Sequence, residues 1–285
     1  VEYNRLTHKT VVIAHNPLPH IDPETLSLPE LITFPSHTRK AHAIYYPPKN
    51  KEWQPPSGTL PPLIVMSHGG PTAQVVPVFD LKIQFWTSRG FAVVDVNYGG
   101  STGYGRPYRD ALKKNWGIVD VEDCQAAAKY LIAQRKADPK RIAIRGGSAG
   151  GYTTLAALTF GDTFTVGASY YGVSDLSALA EETHKFESRY LDQLVGPYPQ
   201  TKSLYHDRSP LFHVEKLRCP VIFFQGAEDR VVPIGQAQRM YDALKKKGIE
   251  TELIIYPEEQ HGFRNAENIK DSLLRELAFY NKVWE

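Results

Sequence analysis

The sequence predicts an α/β fold in which helices cover both faces of a mostly parallel, doubly wound β-sheet. Short runs of apolar and β-branched residues alternate with helix-patterned stretches along most of the 285 residues, and this alternation is typical of parallel sheets. The predicted strands are continuous apolar runs, as expected for strands that are buried on both faces. A single sheet that extends through most of the chain accounts for both observations.

The predicted elements follow in order along the chain. The first two strands, Leu31–Pro35 and Ala41–Tyr46, flank a polar turn and form an antiparallel hairpin. Six prolines between residues 47 and 62 exclude a helix interior or a central strand and predict a surface loop. The later predicted strands are Leu63–Ser67, Phe91–Asn97, Arg141–Gly146, Gly167–Tyr171, Val221–Gln225 and Glu252–Tyr256. The predicted helices are Val78–Arg89, Val119–Arg135, Gly150–Phe160, Ile234–Lys247 and Ile269–Trp284.

Composition argues against several classes of protein. Lys and Arg number 33 against 31 Asp and Glu, and the basic residues are scattered, so nucleic acid is not an expected partner. No apolar run approaches the roughly 20 residues that span a bilayer, so we expect no membrane partner. The two cysteines form neither a disulfide framework nor a metal-ligand spacing, which favours a cytoplasmic protein. Neither a GxGxxG motif nor a cluster with metal spacing is present, so the sequence predicts no cofactor and no metal.

A serine motif occupies the junction between a predicted strand and a predicted helix. Residues 141–151 read RIAIRGGSAGG, which places Ser148 in a Gly-x-Ser-x-Gly pattern. In this context the pattern is typical of a nucleophile on a sharp turn, where neighbouring side chains would collide with the backbone. The alternative is a glycine-rich tight turn or phosphate loop. The strand before and the helix after favour Ser148 as a nucleophile of the α/β-hydrolase fold.

An acid and a base follow the next strands in the order Ser, Asp, His that this fold uses. Asp229 comes after the strand that ends at Gln225, and His261 comes after the strand that ends at Tyr256. We expect His261 to take the serine proton and Asp229 to hold the imidazole. Glu228 is an alternative acid, and each residue alone could be an ordinary loop residue.

Two backbone amides are candidates for an oxyanion hole. The amide of Ala149, directly after the nucleophile, is the first. The second is expected from the loop His68-Gly69-Gly70-Pro71, with Gly70 favoured and Gly69 as the alternative. These glycines could also serve only to make a tight turn. His68 lacks a neighbouring ligand residue, so we interpret it as a residue that orients the loop.

Several motifs together resemble one family. They are HGGP at 68–71, NYGGSTGYG at 97–105, WGIVDVEDC at 116–124, GGSAGGY at 146–152, DRVVP at 229–233 and EEQHGF at 258–263. Over residues 30–285 the chain resembles the prolyl oligopeptidase family of serine peptidases, most closely its acylaminoacyl-peptidase and dipeptidyl-aminopeptidase-like branch. The resemblance implies hydrolysis of short peptides or N-terminally blocked amino acids through an acyl-enzyme.

The resemblance also implies a domain organisation and a substrate contact. Family members carry a β-propeller before the hydrolase domain. Residues 1–30 are therefore expected to be an N-terminal extension, resembling the end of a propeller or a linker, before a catalytic domain at 31–285. Either an N-terminal propeller or a homo-oligomer is the expected partner. Arg230 matches the family's arginine that binds a substrate carbonyl, although it could equally form an exposed salt bridge. Gly99 departs from the commoner Tyr-Arg-Gly-Ser loop, which removes any contact from an arginine there.

Two other functions remain open from the sequence. A carboxylesterase or small-amide hydrolase would use the same triad and oxyanion hole. A non-catalytic partner-binding domain could retain the motifs, although an intact nucleophile, acid and base argue against it. For the substrate pocket, the aromatic and apolar candidates are more often core residues than pocket residues. These candidates are Tyr171, Leu176, Phe186 and Tyr190.

Overall fold

A computed structural model describes residues 1–14, 21–182 and 189–285. In these ranges the strands are β1 (Glu2–Asn4), β2 (Lys9–Val11), β3 (Glu30–Ser36), β4 (Arg39–Tyr46), β5 (Leu63–Ser67), β6 (Ala92–Asn97), β7 (Ile142–Gly147), β8 (Val166–Tyr170), β9 (Val221–Gly226) and β10 (Thr251–Tyr256). The helices are α1 (Leu81–Thr87), α2 (Arg106–Asp110), α3 (Val119–Ala133), α4 (Ala149–Phe160), α5 (Leu176–Glu182), α6 (Tyr190–Leu194), α7 (Lys202–Arg208), α8 (Gly235–Lys247) and α9 (Ala266–Trp284).

Eight of these strands form the central sheet, in the order β10-β9-β8-β7-β5-β6-β4-β3. Strands β5 to β10 run parallel, whereas the hairpin of β3 and β4 joins the edge in antiparallel orientation. The carboxyl ends of β7, β9 and β10 therefore lie at the same edge of the sheet. The exposed strands β1 and β2 form a separate antiparallel pair before the sheet begins at Glu30. The division of domains at residue 30 stays a prediction.

Helices pack on both faces of the sheet. On one face, α3, α4 and α8 contribute Ala128, Leu155 and Met240 to the larger apolar cluster. On the other face, α1 and α9 contribute Trp86 and Phe279 to a second cluster. Complete burial of a leucine, methionine or phenylalanine side chain stabilises the fold by about 1.5–3 kcal/mol. None of the helices in the described ranges combines the length and apolar character needed to cross a membrane.

A buried ion pair joins the last helix to the strand that leads into the serine turn. Arg145 of β7 donates to both carboxylate oxygens of Glu276 of α9, at 2.7 and 3.1 Å. The hydroxyls of Tyr170 and Tyr280 donate to the same carboxylate, at 2.6 and 2.8 Å. Glu276 is fully buried, and these donors compensate its charge. Helix α9 is therefore fixed to β7 by a polar contact as well as by apolar packing.

The predicted strands and long helices are confirmed to within a few residues. The prediction of a helix start at Val78 was wrong, because the Asp80 side chain accepts the Lys82 N–H at 2.7 Å and caps α1 at that point. Helices α2, α5, α6 and α7 were not predicted. Each has only five to seven residues, too few for a clear helical period.

Candidate active site

Ser148 lies in a strained turn between β7 and α4. Its backbone has φ 57° and ψ −122°, a conformation that costs a residue with a side chain about 1–3 kcal/mol. The Ser148 N–H donates to the Tyr170 carbonyl at 3.0 Å, and the Ser148 carbonyl accepts the Tyr152 N–H at 3.1 Å. Hydrogen bonds on both sides therefore hold the serine at the carboxyl edge of the sheet.

The two glycines around Ser148 are required by close backbone packing. A Cβ atom at Gly146 would lie 2.4 Å from the Gly150 carbonyl oxygen, and one at Gly150 would lie 2.1 Å from the Ser67 carbonyl oxygen. Real Cβ atoms do not approach other atoms so closely. The Gly-x-Ser-x-Gly spacing thus reflects the contact of this turn with the end of β5.

The three residues predicted to act together meet in one chain of hydrogen bonds. His261 Nε2 lies 2.9 Å from Ser148 Oγ, and His261 Nδ1 lies 2.8 Å from Asp229 Oδ2. The Asp229 side chain is fully buried, and 23% of the His261 side chain is exposed. Because an ionised carboxylate can only accept hydrogen bonds, Asp229 favours the tautomer with hydrogen on Nδ1. Nε2 is then free to accept the serine proton.

The loop after β9 fixes the Asp229 carboxylate. Its Oδ1 accepts the N–H groups of Val231 and Val232, both at 2.9 Å, while Gln225 Nε2 lies 3.3 Å from Oδ2. The alternative acid, Glu228, has an exposed side chain. The structure therefore favours Asp229 as the partner of the histidine.

A buried carboxylate that the sequence reasoning missed anchors the histidine loop. Glu259 is 3% exposed and accepts the Arg264 N–H at 2.8 Å, the Asn265 N–H at 2.9 Å and Asn268 Nδ2 at 3.0 Å. Burial raises the pKa of Glu259, but these hydrogen bonds and the nearby Arg264 charge outweigh it, so the pKa is lowered. A glutamate two residues before His261 was the available signal in the sequence.

The His68 ring orients the glycine loop after β5. It stacks on Tyr98 with ring centres 4.2 Å apart, and its nitrogens lie 2.7 Å from Ser101 Oγ and 2.8 Å from the Gly69 carbonyl. Burial lowers the pKa of His68 to about 4, so the ring is neutral at neutral pH. These contacts agree with the expected orienting role.

Of the predicted oxyanion-hole residues, Ala149 and Gly69 border Ser148, whereas Gly70 packs against Thr72 and Ala73. Ala149 is the first residue of α4 and is 6% exposed. A Cβ atom at Gly69 would lie 3.5 Å from the Ser148 Cβ, and Gly70 has φ 119°. The backbone of the glycine loop thus passes next to the serine, and both glycines remain candidates for the second donor.

The four pocket candidates have different positions. The Tyr171 ring lies edge-on to the His261 imidazole at 5.0 Å, so Tyr171 borders the candidate site. Leu176 is fully buried and belongs to the core. The Tyr190 hydroxyl lies 2.6 Å from Thr72 Oγ1, beside the glycine loop. The fourth candidate, Phe186, lies outside the described residues.

Arg230 is exposed next to the acid of the candidate triad. Within residues 1–14, 21–182 and 189–285, its guanidinium forms no ion pair. The described residues therefore provide no support for the alternative that Arg230 forms an exposed salt bridge.

Arg39 occupies the space beside Gly99. A Cβ atom at Gly99 would lie 2.7 Å from Val119 Cγ1 and 3.1 Å from the Arg39 guanidinium carbon. Asp123 accepts hydrogen bonds from Arg39 at 2.5 Å and from the Gly99 N–H at 2.7 Å. Position 99, where the commoner loop sequence has an arginine, is therefore a glycine, and the guanidinium beside it comes from Arg39 of β4.

One group of surface residues has ligand atoms close together although its sequence spacing did not indicate a metal site. His206, Asp207 and His213 each place one such atom within 4.8 Å of the others. They lie at the end of α7 and in the short 3-10 helix that follows. Exposed groups of this kind are common without an ion, and we assign no metal to them.

The sheet order and the glycine-flanked serine at the β7–α4 turn define an α/β-hydrolase. Residues 77–285 match the prolyl oligopeptidase family, and the chain belongs to that family. The predicted fold class and the predicted family are both confirmed.

Relatives whose names give different substrates match most of this chain. It is 31% identical over 242 residues to the acylamino-acid-releasing enzyme of Arabidopsis thaliana, covering 82% of this chain and 31% of the relative. Among solved structures, a puromycin-hydrolyzing peptidase of Mycobacterium tuberculosis has a TM-score of 0.91 and 49% identity over 92% of this chain and 40% of its own. A puromycin hydrolase has a TM-score of 0.95 and 42% identity over 99% of this chain and 43% of its own. The chain spans about a third of the length of the curated relative.

We expect Gly150→Ala to lower the free energy of unfolding by about 1–3 kcal/mol, as is typical of overpacking. The added methyl group would collide with the Ser67 carbonyl. Urea denaturation measures the change. Gly235→Ala is the matched control, because a Cβ atom there meets nothing within 4 Å. Equal stabilities of the two variants would contradict the packing argument.

We expect Glu259→Gln to destabilise the chain at neutral pH and progressively less in acid. The pKa of Glu259 is lowered from its ordinary value of 4.5, so its ionised form stabilises the fold above that pH. This contribution is lost as the pH falls through the lowered pKa. Urea denaturation of the wild-type chain and of Glu259→Gln, from neutral pH down through the lowered pKa of Glu259, measures the difference in stability. A difference in stability that stayed constant with pH would argue against an ionised Glu259.

Proposed function

We propose that this chain is a serine peptidase domain that hydrolyses short peptides or N-terminally blocked amino acids through an acyl-enzyme. The hydrogen-bonded chain from Ser148 through His261 to Asp229 carries the proposal. Membership of the prolyl oligopeptidase family supports the same reaction.

In the proposed reaction Ser148 Oγ attacks the carbonyl carbon of the scissile amide while His261 Nε2 takes its proton. The C–N bond of the tetrahedral intermediate then breaks, and His261 returns the proton to the leaving amine. A water molecule hydrolyses the resulting ester at Ser148 by the same route. Asp229 stabilises the imidazolium that forms in each half of the reaction.

Backbone amides stabilise the oxyanion in this proposal. Ala149 and either Gly70 or Gly69 donate to it from the start of α4 and from the loop after β5. Such donors are preorganised and cost no rearrangement during the reaction. The contacts of His68 with Ser101 and Tyr98 support a fixed loop.

The comparisons also favour a second class of substrate. The two puromycin-hydrolysing proteins are 49% and 42% identical to this chain, compared with 31% for the acylamino-acid-releasing enzyme. This difference favours aminoacyl amides with a free amine as alternative substrates. A carboxylesterase or small-amide hydrolase with the same residues is the runner-up.

The proposal extends to the partner and location of the chain. A β-propeller N-terminal to the hydrolase domain, or a second copy of the chain, is the proposed partner, and membership of the prolyl oligopeptidase family supports the former. A cytoplasmic location is supported by Cys124 and Cys219, which are both free thiols.

Ser148→Ala is expected to abolish turnover, because losing the nucleophile of a triad lowers kcat about 10⁶-fold. The assay compares acetyl-alanine, alanyl-proline and free alanine p-nitroanilides, the matched p-nitrophenyl esters, and puromycin. A fluorophosphonate probe is expected to label the wild-type chain and leave Ser148→Ala unlabelled. Ser57→Ala, in the exposed proline-rich loop, is the control and should label normally.

The substrate panel separates the competing functions. Turnover of the acetylated anilide supports the leading proposal, whereas turnover of free alanine anilide and puromycin supports the second class. Cleavage of esters alone would favour the carboxylesterase. Absence of both turnover and labelling in the wild-type chain would overturn the proposed reaction.

Arg230→Ala is expected to raise KM about 10-fold and leave kcat within about threefold, because a hydrogen bond from a charged group contributes roughly 1.5–3 kcal/mol. The expectation applies to substrates that have a carbonyl beyond the scissile residue. Steady-state kinetics on alanyl-proline anilide measure the effect, with Arg275→Ala on the exposed side of α9 as control. An unchanged KM would remove Arg230 from the binding site.

A further inference from the structure

A buried carboxylate of α3 contacts the first turn of the nucleophile helix. Asp120 is fully buried and accepts the Gly117 N–H at 2.7 Å and the Thr153 hydroxyl at 2.5 Å. Thr153 is also fully buried and lies one turn after Ala149 in α4. Asp120 therefore links the loop before α3 to the helix that begins at Ser148.

The Thr153 hydroxyl has two acceptors and one proton. Besides Asp120, the carbonyl oxygen of Ala149 lies 3.1 Å away. Hydrogen bonding of a threonine to the carbonyl four residues earlier often bends a helix. The shorter bond to Asp120 keeps this proton away from the Ala149 peptide.

The loop before α3 packs closely against α4. Gly117 has φ 84°, and a Cβ atom there would lie 2.0 Å from the Tyr152 hydroxyl oxygen. The Trp116 ring packs on Tyr152 with centres 4.6 Å apart. Asp120 thus holds the Gly117 backbone beside Tyr152 of α4 and also binds Thr153 of the same helix. Burial raises the pKa of Asp120 to about 6, and the bonds from Thr153 and Gly117 oppose the rise. At about pH 8 the carboxylate is ionised and accepts both bonds.

We propose that Asp120 is a positioning residue for the oxyanion donor: it accepts the proton of the Thr153 hydroxyl, which would otherwise be donated to the Ala149 carbonyl, and so fixes the first turn of α4. The inference rests on the proposed function, in which the Ala149 amide stabilises the oxyanion. Without Asp120, the hydroxyl donates to the Ala149 carbonyl and bends that turn.

The test compares Asp120→Ala with the double variant Asp120→Ala/Thr153→Val at about pH 8. We expect Asp120→Ala to lower kcat about 10-fold at nearly constant KM, a fraction of the ~100- to 1,000-fold cost of losing an oxyanion donor outright. The double variant lacks the competing hydroxyl and is expected to regain most of the lost kcat. Both variants leave the Gly117 N–H unpaired, so their melting temperatures should fall by similar amounts.

Thr159→Val is the matched control for the threonine substitution. Thr159 lies in the same helix, is 3% exposed, and its hydroxyl has no hydrogen-bond partner in the described ranges. Its kcat and KM should equal those of the wild-type chain. Where Asp120→Ala fails to fold, Asp120→Asn with and without Thr153→Val gives a weaker form of the comparison, because the amide keeps one acceptor oxygen for the two donors.

Equal kcat values for the single and double variants would overturn the positioning role, as would a fall in melting temperature with kcat unchanged. Both results would leave the proposed function intact if the wild-type chain turns over its substrate and Ser148→Ala does not. A wild-type chain without activity would overturn the proposed function, and this inference with it.

Discussion

The close contact between the Ser148 turn and the end of β5 is the constraint on which the candidate site depends. Gly150 lies so near the Ser67 carbonyl that no side chain fits between them, and a Cβ atom at Gly146 would collide with the Gly150 carbonyl. The strained backbone of Ser148 persists because β7, α4 and β5 are each held in place by the core. The Ser148 hydroxyl is thus positioned by backbone packing, independently of its contact with His261.

The partners of Ser148 arrive on loops that are tied to each other. The Glu228 N–H donates to the Glu259 carbonyl at 3.0 Å, and a Cβ atom at Gly226 would lie 2.3 Å from that same oxygen. The acid loop and the histidine loop therefore form one packed unit at the end of β9 and β10. A displacement of either loop would move both Asp229 and His261 relative to the serine.

Much of this organisation could be predicted from the sequence, because its signals are local. Continuous apolar runs predict buried strands, and the Gly-x-Ser-x-Gly spacing predicts a tight turn. Asp229 and His261 each follow a parallel strand, so the sheet topology alone predicts that both lie at the same edge as Ser148. The short helices α5 to α7 lacked such signals, since each makes less than two turns.

The supporting contacts could not be predicted because they join distant parts of the chain. Asp120 and Thr153 are 33 residues apart, as are His68 and Ser101, and no periodic pattern identifies such pairs. Their partners are determined by which side chains the packed helices and loops bring together. The buried Glu259, by contrast, lies only two residues before His261, and this proximity could have identified it from the sequence.

The ion pair between Arg145 and Glu276 has a consequence for the order in which the domain can be completed during synthesis. Ser148 precedes His261 by 113 residues, and β7 receives its buried countercharge only when α9 has docked. A growing chain that ends before His261 contains Ser148 but neither the histidine that contacts it nor the carboxylate that neutralises Arg145. The Ser148–His261 contact and the countercharge of Arg145 are therefore both absent until nearly the whole domain has been synthesised.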